Sequence, residues 1–133
     1  TATLANLKRG IGGTVDIEFC VQMLQLRYGL EFPDVLQPGT LNAISSLEEA
    51  KLLTSEDAES LRSGYRLLRS VESRLRLLNT TARHDLPEKD GELDKLAYIL
   101  RSDDVASLQR ELASSRRENR RVFKATVARL VAE

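Results

Sequence analysis

Residues 10–29 read GIGGTVDIEFCVQMLQLRYG. Three glycines, Gly10, Gly12 and Gly13, run straight into an apolar segment. Ile17, Cys20, Val21, Leu24 and Tyr28 recur at helical spacing and form one apolar face. Phe19, Met23 and Leu26 form a second. Glu18, Gln22 and Gln25 leave only a narrow polar stripe between them. This pattern predicts a helix covered on most of its sides. It should begin near Thr14 or Asp16, because either short oxygen-bearing side chain can accept from the free amides of a first turn. Gly29 can end it.

Working outward, EFPDVLQPGT at 31–40 carries two prolines and a glycine and reads as a loop. A helix follows over 41–53. TSED at 54–57 has the form of a capping box with Thr54 as N-cap, with Asp in the usual place of Glu or Gln. The next helix is expected over 55–80, roughly 39 Å at ~1.5 Å per residue. Its core stripe is Leu61, Leu68, Val71, Leu75 and Leu78. Pro87 and Gly91 mark a turn, and a short helix is expected over 92–101. Ser102 or Asp103 can cap a last long helix over 104–131. Val105, Leu108 and Leu112 start its stripe, and Val122, Phe123, Val127 and Leu130 finish it. SSRRENRR at 114–121 separates the two halves. Strand-period alternation is absent. The expected fold is all-α: about five helices in an antiparallel or irregular bundle, with a short extended N-terminal lead-in. Residues 1–13 read as an interdomain segment with its glycine loop, and 14–133 as a single helical domain.

The 133 residues suit one domain. Hydrophobic residues make up 41%, but aromatics only 5% and Trp is absent, so Leu, Val and Ala must fill the core. Twenty basic and twenty acidic side chains balance to zero. That argues against a general nucleic-acid-binding field and leaves a local basic patch open. Cys20 is the single cysteine, and no Cys/His set has zinc spacing. A reducing compartment, the cytoplasm, is the expectation. No apolar run approaches the ~20 residues of a membrane helix, and no signal peptide opens the chain. Thr1 is not an initiator Met, and TATLANLKRG reads as the tail of something preceding it. The chain is therefore read as part of a longer protein.

Several groups are candidates for chemistry. Amides freed by Gly10, Gly12 and Gly13 at a helix N-terminus can approach a phosphate, with charge from Lys8 and Arg9. The spacing is neither a Walker A loop nor a dinucleotide fingerprint. Asp16 and Glu18 just after it would repel a naked phosphate, so a structural turn tight against a neighbouring domain is the preferred reading. Asp16 and Glu18 do not share a helix face. As a pair they could hold Mg²⁺, with Glu18 a weak metal candidate. The favoured alternative is complementation of the helix dipole. Tyr65, Arg69, Glu72 and Arg76 fall at i, i+4, i+7 and i+11. They read first as a partly buried polar ladder, and second as a contact for a nucleotide or a partner. His84, the only histidine, reads as a loop residue. RRENRR at 116–121 reads as a solvated helix face, with a phosphate or an acidic partner as the sharper option.

LKRGIGGTVDIEFCVQMLQLRYG at 7–29 resembles the segment after the nucleotidyltransferase domain in glutamine synthetase adenylyltransferases. Lys8, Gly10, Gly12, Gly13, Asp16, Ile17, Glu18, Phe19 and Gln22 match that family's pattern. The resemblance continues through 40–78 and into HDLP at 84–87. Asn6 stands where the family often has Asp, and Thr14-Val15 replace a common Ile-Arg. The missing Arg and the LRYG ending look more like the C-terminal, adenylylating module. The resemblance implies a parent enzyme that moves AMP from ATP onto glutamine synthetase. ATP and Mg²⁺ would be bound mainly by an upstream nucleotidyltransferase domain. The implied partners are that domain, glutamine synthetase and the signalling protein PII, with no nucleic acid and no membrane. Lys8, Gly10, Gly12, Gly13, Asp16, Glu18 and Gln22 become candidates for facing the nucleotide cleft. The superfamily's Gly-Ser and Asp-x-Asp signature is not in this sequence, so no catalytic residue is expected here and the chain alone is expected to be inactive. The competing readings are the helical domain of a PII uridylyltransferase and a non-catalytic interaction module.

Overall fold

The computed structural model describes residues 7–77 and 105–133. Four α-helices and one short 3-10 helix account for most of them, with no strand among the described residues. In chain order they are α1 (Thr14–Tyr28), the 3-10 helix (Pro33–Val35), α2 (Thr40–Glu49), α3 (Ser55–Leu77) and α4 (Val105–Ala132). The all-α expectation holds. The helix expected over 92–101, with His84, Pro87, Gly91 and the Ser102 or Asp103 cap, lies outside the described residues, as do residues 1–6.

The core forms where the apolar stripes converge. Ile17, Cys20 and Leu24 of α1 meet Leu61, Leu68 and Val71 of α3 and Leu108, Leu112 and Val122 of α4, all nearly or fully buried. α4 packs against both α1 and α3, while α2 closes over α1 and α3. Cross-helix contacts give the directions. Asp16 meets Arg120, Cys20 meets Thr126, and Tyr28 meets Glu133, so α1 and α4 run parallel. Asp57 meets Arg121 and Gly64 meets Asn119, so α3 runs antiparallel to α4.

The caps differ in kind. Thr54 behaves as expected: its hydroxyl accepts from the Asp57 amide at 3.1 Å. Neither Thr14 nor Asp16 caps α1. The N-cap is Gly13, which makes no side-chain cap bond. The first-turn amides turn to the preceding loop instead, with Thr14 N–H donating to the Leu7 carbonyl at 3.2 Å and Val15 N–H to the Lys8 carbonyl at 2.9 Å. A short side chain is not needed where a folded-back loop supplies the acceptors. Residues 7–13 are accordingly a succession of turns rather than an extended run, and Leu7 is fully buried. α2 ends at Glu49, short of the expected 53. There Lys51 takes a left-handed φ of 62°, and the Leu52 and Leu53 amides fold back onto the Leu47 carbonyl.

Two polar side chains tie the smaller elements down. Gln25 donates from Nε2 to the carbonyls of Val35 at 2.8 Å and Gln37 at 3.0 Å, which fastens the 3-10 segment to α1. Arg62 bridges Glu48 at 2.8 Å and Glu59 at 2.7 Å, which joins α2 to α3. The guanidinium beside it holds the Glu48 carboxyl below its ordinary range, and Ser55 adds to this.

Replacing Thr54 by Ala removes the one side-chain cap at the start of α3. It should lower stability by about 1 kcal/mol in urea unfolding. An unchanged midpoint would mean that the α2–α3 turn is held by other contacts alone.

Candidate functional site

The glycine loop does not stand free. It is clasped by α4. Asn119 Nδ2 donates to the Gly12 carbonyl at 2.9 Å, and Arg116 Nε donates to the Ile11 carbonyl at 2.9 Å. Asp16 completes the clasp from α1: its Oδ2 accepts from the Gly12 amide at 2.7 Å and from Arg120 at 3.2 Å. Asn119 is 1% exposed and Arg116 8%, so these bonds form in a nearly dry environment. Burial lowers the Arg116 pKa, and the nearby Asp16 charge opposes that shift.

Glycine is required here for two reasons. Gly12 has φ of +73°, a left-handed conformation that favours a residue without Cβ. A Cβ at that position would also run into the Arg116 carbonyl of α4. A second contact of this kind supports the clasp from behind. Gly64, in the middle of α3, faces the Asn119 amide so closely that a Cβ there would strike it. Asn119 is thus wedged between α3 and the glycine loop.

This geometry defines what the loop can do. The Gly12, Gly13, Thr14 and Val15 amides all have acceptors inside the chain. They therefore do not form an open cradle for a phosphate, and the turn reading describes the loop. Its neighbour is α4 of the same unit.

The other candidates are dispersed. Lys8 is half-buried, and its carbonyl serves α1. Gly10 is buried, and its carbonyl accepts from Gly13 at 2.9 Å. Glu18 is half-buried on the flank of α1, with no hydrogen bond or ion pair among the described residues. Gln22 is exposed. Asp16, turned back into the clasp, does not combine with Glu18 as a carboxylate pair. No group of three His, Cys, Asp or Glu side chains is placed to hold a metal among the described residues. On α3, Tyr65 packs partly buried against the core. Glu72 is 3% exposed, and its carboxylate lies 4.0 Å from a largely exposed Arg69. Arg76 lies outside the residues whose side chains are described. Cys20 is buried and its thiol donates to the Thr126 hydroxyl at 3.3 Å, with burial pushing its pKa up.

Sequence reasoning missed Asn119, Gly64 and Arg120. A signal was present for the first. Asn119 sits on the same stripe as Leu108, Leu112, Val122 and Thr126, so the polar run RRENRR is not a wholly solvated face: Asn119 and Arg116 are both buried.

The expectation that α1 is covered on most sides is corrected. Its inner face is buried, but Phe19 is 52% exposed and Leu26 86%, with Met23 between them. Leu30, in the turn after the helix, is fully exposed. None of the described elements packs on this second face.

The fold and the clasp define a helical domain whose first helix is built into the bundle through a glycine loop. The chain matches the family model described as GlnD PII-uridylyltransferase over residues 2–127 and belongs to that family. Within reach of it are bifunctional glutamine synthetase adenylyltransferase/adenylyl-removing enzymes, in keeping with the resemblance read from residues 7–29. That of Caulobacter vibrioides is 42% identical over 99 residues, covering 74% of this chain and 10% of the relative. Those of Agrobacterium fabrum and Streptomyces avermitilis are 35% and 36% identical over 107 residues, covering 80% and 79% of this chain and 11% of each relative. The chain thus spans about a tenth of the length of these relatives. No described helix is long and apolar enough to cross a membrane.

The wedge reverses the usual sign of one substitution. Gly→Ala within a helix ordinarily stabilises by ~1 kcal/mol. Gly64→Ala should instead destabilise by roughly 1–3 kcal/mol, because the new methyl displaces Asn119. In the Asn119→Ala background the same change should become neutral or favourable. Urea unfolding of the four proteins measures this, and a stabilised Gly64→Ala single variant would contradict the packing.

Proposed function

We propose that this chain is the helical domain of an adenylyltransferase that transfers AMP from ATP to glutamine synthetase, removes it, or does both. The observation that carries the reading is the second apolar face of α1, in a chain whose adenylyltransferase relatives are about seven times as long. A helix that is apolar on two opposite faces, with only one covered, has a second surface to bury. The occupant in this reading is the upstream nucleotidyltransferase domain, whose catalytic carboxylates would hold Mg²⁺ and ATP.

The clasp gives the domain its part in the work. The glycine loop locks the start of α1 to α4, so the Phe19–Leu26 face is presented at a set angle to whatever precedes the loop. Glu18 and Gln22 lie on the same helix and are the polar side chains placed to reach across such an interface. Asp16 is spent on the clasp and contributes by holding the loop. The domain's contribution is orientation: reacting groups held in line gain far more rate than loosely tethered ones. Glutamine synthetase is the proposed substrate and PII the proposed regulator, acting on cytoplasmic nitrogen assimilation. The C-terminal, adenylylating module is the proposed location.

A second reading has one observation in its favour: the matching family model carries the PII-uridylyltransferase description. The two separate by acceptor. An adenylyltransferase labels glutamine synthetase with AMP, and a uridylyltransferase labels PII with UMP.

The test is made in the full-length protein. Phe19→Asp and Leu26→Asp place charges on the outer face, away from the core. Each should cut AMP transfer to glutamine synthetase by at least tenfold, roughly the effect of a small misplacement at a reacting centre. The melting temperature of the 133-residue chain should not fall. Full transfer by both variants would overturn the interface, and UMP transfer to PII in place of AMP transfer would favour the second reading.

A further inference from the structure

The zero net charge conceals a segregated surface on α4. One flank carries Arg116, Arg117, Arg120, Arg121 and Lys124, which line a groove of about 520 Å³ with Ile11 at its edge. The opposite flank carries Glu111 and Glu118. These share a separate groove with Glu56 and Glu59 of α3. We propose that the basic groove is a docking site for an acidic protein segment that carries an apolar anchor residue.

The groove is built rather than incidental. Arg116 is nearly buried and fixed to the Ile11 carbonyl at 2.9 Å. Arg120 is held by Asp16 at 3.2 Å and lies over the Phe123 ring at 4.9 Å. Arg121 is held by Asp57 at 2.9 Å and Glu118 at 3.1 Å. Three guanidiniums are therefore preorganised before any ligand arrives, which lowers the ordering cost of binding. Arg117 and Lys124 are exposed, lie seven residues apart on the same face, and have no acidic partner among the described residues. They supply the uncompensated charge.

Ile11 supplies the apolar contact. Its carbonyl is pinned by Arg116 and the next residue is the left-handed Gly12, so its half-exposed side chain is held at the groove edge. An apolar side chain fixed beside a row of cations suits a ligand with carboxylates flanking one hydrophobic residue. The twelve residues from Ala113 to Lys124, eleven helical steps, span about 16 Å. That matches roughly five residues of extended chain.

Nucleic acid fits less well. Single-stranded recognition uses open aromatic faces for base stacking, and the Phe123 ring here is covered by Arg120. The acidic groove on the other flank would repel a longer polyanion. The groove belongs to this chain's own surface, whichever nucleotidyl group the parent enzyme transfers.

Fluorescence anisotropy on the 133-residue chain provides the test. The probes are a labelled peptide of Glu and Asp with one central Leu, the same peptide with Gly for Leu, and a single-stranded oligouridylate of equal charge. The Leu peptide should bind saturably and weaken as salt rises towards about 0.15 M. The double variant Arg117→Glu/Lys124→Glu, both exposed positions, should lose roughly five- to tenfold in affinity with an unchanged circular dichroism melt. Ile11→Ser should weaken the Leu peptide and leave the Gly peptide unaffected. Absence of saturable binding, equal affinity of the charge-reversed double variant, or tighter binding of oligouridylate than of the Leu peptide would each overturn the proposal.

Discussion

The hydrogen bond from Asn119 to the Gly12 carbonyl is the contact on which the rest of the unit depends. It lies where three elements meet: the glycine loop, α3 at Gly64, and α4. A primary amide left in that position without an acceptor would leave a buried donor unsatisfied, at a cost of about 1–3 kcal/mol. The loop backbone therefore has to approach α4 closely. Close approach excludes a Cβ at Gly12, and the left-handed turn there sends the Gly12 amide towards Asp16. Asp16 in turn fixes Arg120, and Arg116 fixes Ile11. One wedged side chain thus sets the loop, the start of α1, and the position of the cations above it.

Much of this fold can be read from spacing. The inner face of α1, the stripe of α3 and the two halves of α4 follow from period 3.6, and Thr54 caps α3 as its sequence context implies. The start of α1 was not legible in the same way. Capping rules look for a side-chain oxygen near the helix start, whereas here the acceptors are carbonyls of Leu7 and Lys8 brought back by the loop. The parallel course of α1 and α4 was not legible either, because periodicity says which face is buried and nothing about direction. The clasp needed a contact across more than a hundred residues, and only Asn119's place on the α4 stripe hinted at it.

The apolar outer face of α1 shows the opposite difficulty. Its pattern was visible, and the prediction of a covered helix followed from it. Phe19 and Leu26 are exposed because the described elements pack on the other side. Hydrophobic pattern shows which faces of a helix are apolar and not which of them the neighbouring elements cover. The charge pattern has a similar lesson. RRENRR reads as a uniformly polar run, yet its members divide among a buried clasp, ion pairs to Asp16 and Asp57, and one exposed cation, Arg117. A net charge of zero carries no information about that division.

The glycine loop is an integral part of the folded core and not an open loop awaiting a ligand. Native-state hydrogen exchange of the Gly12, Gly13, Thr14 and Val15 amides tests it most directly. All four should exchange slowly, with opening free energies close to those of the central α3 and α4 amides, and without added nucleotide. Fast exchange at these four positions, with protection appearing only when nucleotide is added, would contradict it.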